Sequence, residues 1–305
     1  MELAARLGAL AADASTRAER TLHRLAKPAA IALAPVLLRQ AKQLQRSLVW
    51  LPEPGGARRG VVPTPDEGAA VDAAPAGSTD TGDAAVAVPA DPAAAPPLRL
   101  LAIGDSTATG VGAERLADGL VVQTASRLAL REGRPVEWRI VGLEGSTAAQ
   151  VLERFLPEVD DGPWDAILLL VGANDALQLV GRGAFSRSVR ALVDGLAAHL
   201  ASDGVLVLSG TPQIDTFVWL PQPIRSLIGG HARTLDDALQ RIADDDARVL
   251  HVPTPAIVEP EQHAADGFHP SAEGYRVWSS VVAPRLGRAL AQRRARTPQQ
   301  QGVLR

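Results

Sequence analysis

Cysteine is absent from this 305-residue chain. That excludes a disulfide framework, a thiolate metal site and a cysteine nucleophile. Lysine occurs only at Lys27 and Lys42, so the other 29 of the 31 basic residues are arginine. With no lysine after residue 42, the lysine of a nucleotide P-loop is missing from most of the chain. Aromatics are scarce, with five Trp, one Tyr and four Phe, which leaves few rings to sandwich a flavin. The net charge of −3 gives no overall attraction for nucleic acid. No apolar run near the start approaches the roughly 20 residues that span a bilayer; the longest, Ala29 to Leu38, has ten. The segment before it is too long for a signal peptide, and no small-residue cleavage site follows. The expected location is therefore cytoplasmic. No His/Asp/Glu group has metal-ligand spacing, so no metal or other cofactor is expected.

A hydrophobic fraction of 46% is enough for a substantial core. Three zones differ in composition. Residues 1–59 hold ten basic and four acidic residues. Their leucine spacing (Leu3, Leu7, Leu10, Leu22, Leu25, Leu37, Leu44, Leu48) suggests helix, broken at Pro28 and Pro35. This basic helical extension has three readings: docking on the following domain, peripheral membrane contact through residues 1–50, or a partner-binding arm. Residues 60–97 are rich in Ala, Pro, Gly and Asp; from 61 to 97 they hold six acidic residues and no basic ones. Such a segment buries too little apolar area to offset its ordering entropy, so it reads as a disordered linker.

From residue 98 to 295, strand-like and helix-like runs alternate. The strand-like runs are 98–103, 136–141, 166–171, 205–208 and 248–252. The helix-like runs are 117–132, 147–156, 184–202, 230–244 and 271–293. Apolar strands separated by helices imply a three-layer α/β/α domain around a doubly wound, five-stranded parallel sheet. Residues 296–305 read as a flexible tail. In such sheets, ligands bind beyond the carboxyl ends of the strands.

Four motifs fall at that edge. Ser106 follows the first strand in Gly104-Asp105-Ser106-Thr107. Gly145 follows the second in Glu144-Gly145-Ser146-Thr147. Asn174 follows the third in Gly172-Ala173-Asn174-Asp175. Asp266 and His269 lie before the last helix in Asp266-Gly267-Phe268-His269. A serine needs a base to become a nucleophile, and the imidazole of His269 is the obvious one. Asp266 is close enough to fix the tautomer of that imidazole. The Ser106 N–H, the Gly145 N–H and the Asn174 amide are donors of the kind an oxyanion requires. The other histidines, His23, His199, His231, His251 and His263, lack an acidic residue three positions earlier in such a loop and read as structural or surface residues.

Ser, Gly, Asn and His in this order make the chain similar to the GDSL/SGNH hydrolase family over roughly residues 98–285. The resemblance implies Ser106 as nucleophile, His269 and Asp266 as the rest of a triad, and Ser106, Gly145 and Asn174 as the oxyanion hole. It also implies a structural role for Asp105, tying the nucleophile loop together. Thr107 replaces the usual leucine, and the asparagine that often precedes the glycine is missing from Arg139–Glu144. The G-x-S-x-G elbow of ordinary α/β-hydrolases is absent, since position 108 is alanine. The implied reaction is hydrolysis of a small-molecule ester through a seryl-acyl intermediate, on a short or medium acyl, lipid-derived or acetylated substrate.

Two rival readings remain at this point. Ser106-Thr107-Ala108-Thr109-Gly110 resembles the phosphate loop of a flavodoxin-like FMN-binding module, and the chain could also be a catalytically inactive scaffold of the same fold. The long connection 211–230 carries Phe217, Trp219 and Leu220, which either line an apolar substrate pocket or pack as core. Glu144 beside Gly145 either meets substrate or faces solvent. Oligomeric state is not legible.

Overall fold

The computed structural model describes residues 39, 51–64, 96–159, 161–217 and 220–302. One compact unit comprises residues 49–220 and 225–305; the other comprises 1–48 with 221–224. Most of the expected helical extension (1–38 and 40–50) and most of the expected linker (65–95) lie outside the described residues, as does Trp219.

The sheet has six strands: β1 (Arg59–Val62), β2 (Leu98–Gly104), β3 (Val136–Gly142), β4 (Trp164–Leu170), β5 (Leu200–Ser209) and β6 (Val249–Val252). Their order is β1-β3-β2-β4-β5-β6. The last five strands in chain order are mutually parallel, as the alternating pattern predicts, while β1 pairs antiparallel with β3. The edge strand corrects the linker boundary at residue 60. Four residues are too few to show a period of two, and the acidic, proline-rich stretch after them hides the signal. Val62 nevertheless packs on the core, and the Ile140 N–H donates to the Arg58 carbonyl at 2.7 Å.

The helices are α1 (Ser106–Thr109), α2 (Leu120–Glu132), α3 (Ala148–Gln150), α4 (Ala173–Leu177), α5 (Arg182–Ala197), α6 (Ile224–Asp244) and α7 (Ala272–Gly302). Strand alternation assigns the two faces. Leu98, Leu100 and Ala102 join Val136, Trp138, Leu168 and Val207 in a core covered by Leu120 and Leu128 of α2 and Tyr275, Trp278 and Leu286 of α7. Leu101, Ile103, Ile167 and Leu169 are buried on the opposite face. There α5 contributes Phe185, Val189, Leu192 and Leu196, buried at helical spacing. The stretch expected as one helix over 147–156 is instead a short α-turn, a π-turn (Val151–Phe155) and a 3₁₀ turn (Leu156–Glu158) with Pro157 in its first turn. Helix α6 begins six residues earlier than expected, and α7 runs through 296–302 of the expected tail. Among the described residues, no helix is long and apolar enough to cross a membrane.

Taken by themselves, the parallel strands run in the order second, first, third, fourth, fifth. The strand order reverses between β2 and β4, and the crevice outside their carboxyl ends is the expected ligand position for such a sheet. Ser106 follows β2 and Asn174 follows β4.

Candidate active site

Asp105 follows β2 and caps α1. Its Oδ1 accepts the Thr107 N–H at 3.0 Å, and the chain leaves the helical turn through Gly110 in a left-handed conformation. Serine 106 is therefore the first residue of a tight strand-to-helix turn, only 5% exposed. The turn is held from α7, where the buried Tyr275 hydroxyl donates to the Val111 carbonyl at 2.6 Å. The loop carrying His269 comes close to this turn because residue 112 is glycine: a Cβ there would lie 2.3 Å from the Pro270 carbonyl oxygen.

The predicted chain of Ser106, His269 and Asp266 is assembled. Ser106 Oγ lies 3.0 Å from His269 Nε2, and His269 Nδ1 lies 2.5 Å from Asp266 Oδ2. The other carboxylate oxygen, Asp266 Oδ1, accepts the N–H groups of Phe268 and His269 at 2.9 and 3.0 Å. Burial pushes the Asp266 carboxyl up, but hydrogen bonds from the His269 ring and the Phe268 backbone outweigh it and the net shift is downward. An ionised carboxylate only accepts, so the His269 proton sits on Nδ1. The Nε2 lone pair then faces the Ser106 hydroxyl.

Gly145 stands in the turn Leu143–Ser146, closed by the Ser146 N–H donating to the Leu143 carbonyl at 3.3 Å. Its φ of +78° is that of the third residue of a type II turn, where glycine is favoured. The N–H groups of Ser106 and Gly145 have no acceptor among the described residues.

Asn174 is differently placed. Its amide nitrogen donates to Asp105 Oδ2 and to the Ser146 carbonyl, both at 3.2 Å. Both amide protons are thus engaged, and one must be re-aimed before it can meet a substrate oxygen. Burial pushes the Asp105 carboxyl up to about 6, against the lowering by its bonds to Thr107. Asp175, which the sequence reading passed over, is buried beside Asn174. Its Oδ2 accepts the Ala148 N–H at 3.0 Å, tying α4 to the segment after Gly145.

A cavity of about 30 Å³ opens beside Ser106 and His269. Phe217, Pro212, Gln213, Ile257, His263 and Phe268 are among its lining residues. Phe217 meets His263 and Phe268 edge to face, at centroid distances of 5.4 and 5.8 Å. Phe217 is thus a lining residue. Leu220 is buried but does not line the cavity, which corrects the expectation for that residue. His263, expected as a structural or surface residue, donates from Nε2 to the Ile257 carbonyl at 3.2 Å while its ring lines the cavity. Its signal was only proximity to Asp266, since no motif includes it. Glu144 is half-buried; burial raises its carboxyl, Glu53 and Asp266 add to the rise, and the nearby His269 opposes it. A larger cleft of about 390 Å³, lined by Arg58, Arg59, Arg139 and Arg154, includes neither Ser106 nor His269.

The flavin reading fails on hydrogen bonding. The N–H groups of Thr107, Ala108 and Thr109 all donate to Asp105, so no open cradle of N–H groups faces a phosphate.

The sequence profile of the GDSL-like lipase/acylhydrolase family matches residues 102–277. The chain is 30% identical over 206 residues to a GDSL-like esterase of Mycobacterium tuberculosis, spanning 64% of each protein's length. Its fold is similar to a family two carbohydrate esterase from Clostridium thermocellum in complex with cellohexaose. That likeness has a TM-score of 0.50 at 14% identity and covers 65% of this chain and 67% of that one. It is also similar to the lipase Lip_vut3 from a goat rumen metagenome, with a TM-score of 0.48 at 21% identity over 63% of this chain and 99% of that one. At 14% identity the likeness to the carbohydrate esterase speaks for the fold alone, and the likeness to the lipase carries no argument. The family match over more than half of the chain does more, and the chain belongs to the GDSL-like lipase/acylhydrolase family.

Proposed function

We propose that this chain hydrolyses carboxylic esters of short acyl groups through a seryl-acyl intermediate. The observation that carries the reading is the continuous chain Ser106–His269–Asp266, with distances of 3.0 and 2.5 Å. Ser106 Oγ attacks the ester carbonyl as His269 Nε2 takes its proton. The carbonyl oxygen, now negative, is met by the N–H groups of Ser106 and Gly145, which have no other acceptor among the described residues. Asn174 contributes by exchanging the Ser146 carbonyl for this oxygen. Collapse breaks the ester C–O bond, and His269 returns the proton to the departing alcohol. Water repeats the sequence on the acyl group, releasing the acid and restoring Ser106. Asp266 stays ionised throughout and holds the imidazolium in place. Asp105 supports the site without touching substrate, by capping α1 and holding Asn174.

The acyl preference rests on space. The cavity beside Ser106, about 30 Å³, is small and lined by Phe217, Ile257 and Phe268, which favours a short acyl group over a long one. The test is hydrolysis of p-nitrophenyl esters from C2 to C12 by the wild type and by Ser106→Ala. The expected result is an optimum at C2–C3 that Ser106→Ala abolishes. Activity that survives in Ser106→Ala removes the proposal, and an optimum at C8 or beyond removes the acyl assignment.

A further inference from the structure

The matched family region begins at residue 102, yet the turn that carries Gly145 is held from residues well before it. The Glu144 N–H donates to Glu53 Oε1 at 3.2 Å, across 91 positions of sequence. The other oxygen of that carboxylate pairs with the Arg58 guanidinium. Arg58 in turn donates from Nη1 to the Gly142 carbonyl at 2.5 Å. Its own carbonyl is fastened to β3 through the Ile140 N–H. Pro54, between these residues, lies close to Gly110 at the end of α1, within 3.4 Å of where a Cβ on that glycine would stand. The segment 53–58 thus bears on both the turn after β2 and the turn after β3.

We propose that Glu53 and Arg58 are positioning residues for the reaction, setting the direction of the Gly145 N–H; this rests on the reading of that N–H as an oxyanion donor. In a four-residue turn the central peptide plane has two orientations, corresponding to types I and II. They differ in where the N–H of the third residue points. Here that residue is Gly145, whose lack of a Cβ makes both orientations accessible. Glu53 holds the N–H before this peptide and Arg58 holds the carbonyl at the start of the loop, so the peptide is pinned from one side. Arg58 also neutralises the Glu53 carboxylate. An unpaired carboxylate on this loop would oppose the negative charge that develops on the substrate oxygen.

Three variants test the brace. Glu53→Ala removes the acceptor, Glu53→Gln keeps an acceptor oxygen without its charge, and Arg58→Gln leaves the carboxylate unpaired. Complete loss of one oxyanion donor costs on the order of 10²–10³ in turnover, which bounds the effect. Glu53→Ala is expected to lower kcat on p-nitrophenyl acetate about 10- to 100-fold with KM unchanged, and Glu53→Gln to recover most of it. Arg58→Gln is expected to fall between them and to improve with added salt. Amide hydrogen exchange of the 143–147 segment is read in parallel and needs no activity; Glu53→Ala is expected to speed it at least tenfold. The brace is overturned if exchange there is unchanged, or if Glu53→Ala retains kcat within twofold. A kcat loss that Gln does not recover and that tracks a lowered Tm also overturns it. If the wild type shows no Ser106-dependent hydrolysis but exchange responds as stated, the brace stands and the catalytic reading fails.

Discussion

Replacing Asp266 by Asn perturbs one proton and little else. In the wild-type chain, Asp266 Oδ1 accepts two backbone N–H groups at 2.9 and 3.0 Å, while Oδ2 faces His269 Nδ1 at 2.5 Å. An asparagine there keeps its carbonyl oxygen on the two N–H donors, because the opposite orientation would set an amide NH₂ against both. Its NH₂ then points at His269 Nδ1, which must become an acceptor. The imidazole proton moves to Nε2, and the atom 3.0 Å from Ser106 Oγ turns from a proton acceptor into a donor. In a serine triad the wrong tautomer costs about 10⁴ in kcat, or roughly 5.4 kcal/mol of transition-state stabilisation. The N–H groups of Ser106 and Gly145 are untouched, so slow residual hydrolysis should persist. The assay is kcat on p-nitrophenyl acetate near pH 7.5, beside thermal unfolding. The expected result is a fall of 10³–10⁴ with Tm nearly unchanged. A loss smaller than tenfold in a folded variant would refute the assignment of the proton and of Asp266.

Three further outcomes follow from the same geometry. Phe217→Ala should open the cavity that Phe217 lines with Phe268 and His263, moving the acyl optimum from C2–C3 to C4 or longer at about 3 kcal/mol of stability; a chain-length profile identical to the wild type speaks against Phe217 as the limit of the pocket. Gly145→Ala introduces no clash, since nothing lies within 4 Å of a Cβ there, but it strains a φ of +78°. About 1 kcal/mol of stability and at least tenfold in kcat should be lost, measured by denaturant unfolding and ester hydrolysis. Asp105 has a folded pKa raised from 3.8 to about 6, so the folded state keeps a proton that the unfolded chain has released. Its contribution is full below pH 4 and is lost as pH rises through about 6, on the order of 3 kcal/mol. Asp105→Asn should remove that part of the stability–pH curve, and a curve of unchanged slope contradicts the raised value.

The parallel strands were legible because strands buried on both faces read as nearly continuous apolar runs, such as Leu98–Ile103 with Arg99 as its one polar residue. Ser106, Asp266 and His269 were legible because a strand-to-helix serine and a short Asp-to-His spacing are local patterns. Other features depend on long-range partners and leave no local pattern. β1 is four residues long and is defined by its pairing with β3. Glu53 is an isolated acid in a basic zone, and its partners at positions 58 and 144 give it a role. Leu220 and Phe217 are both apolar residues of one connection, and the fold alone decides that Phe217 faces the cavity while Leu220 does not. The irregular turns over 151–158 replace a regular helix because Pro157 cannot donate an N–H to it. For Asn174 the sequence offered a donor, and the structure adds that both of its protons are already held by Asp105 and Ser146.

The most direct test of the central claim is covalent labelling of the wild-type chain with a fluorophosphonate, followed by peptide mapping. The account predicts one modified residue, Ser106, with labelling abolished in Ser106→Ala and strongly slowed in His269→Ala. Labelling at another serine, or none at Ser106 in a folded protein, would contradict it.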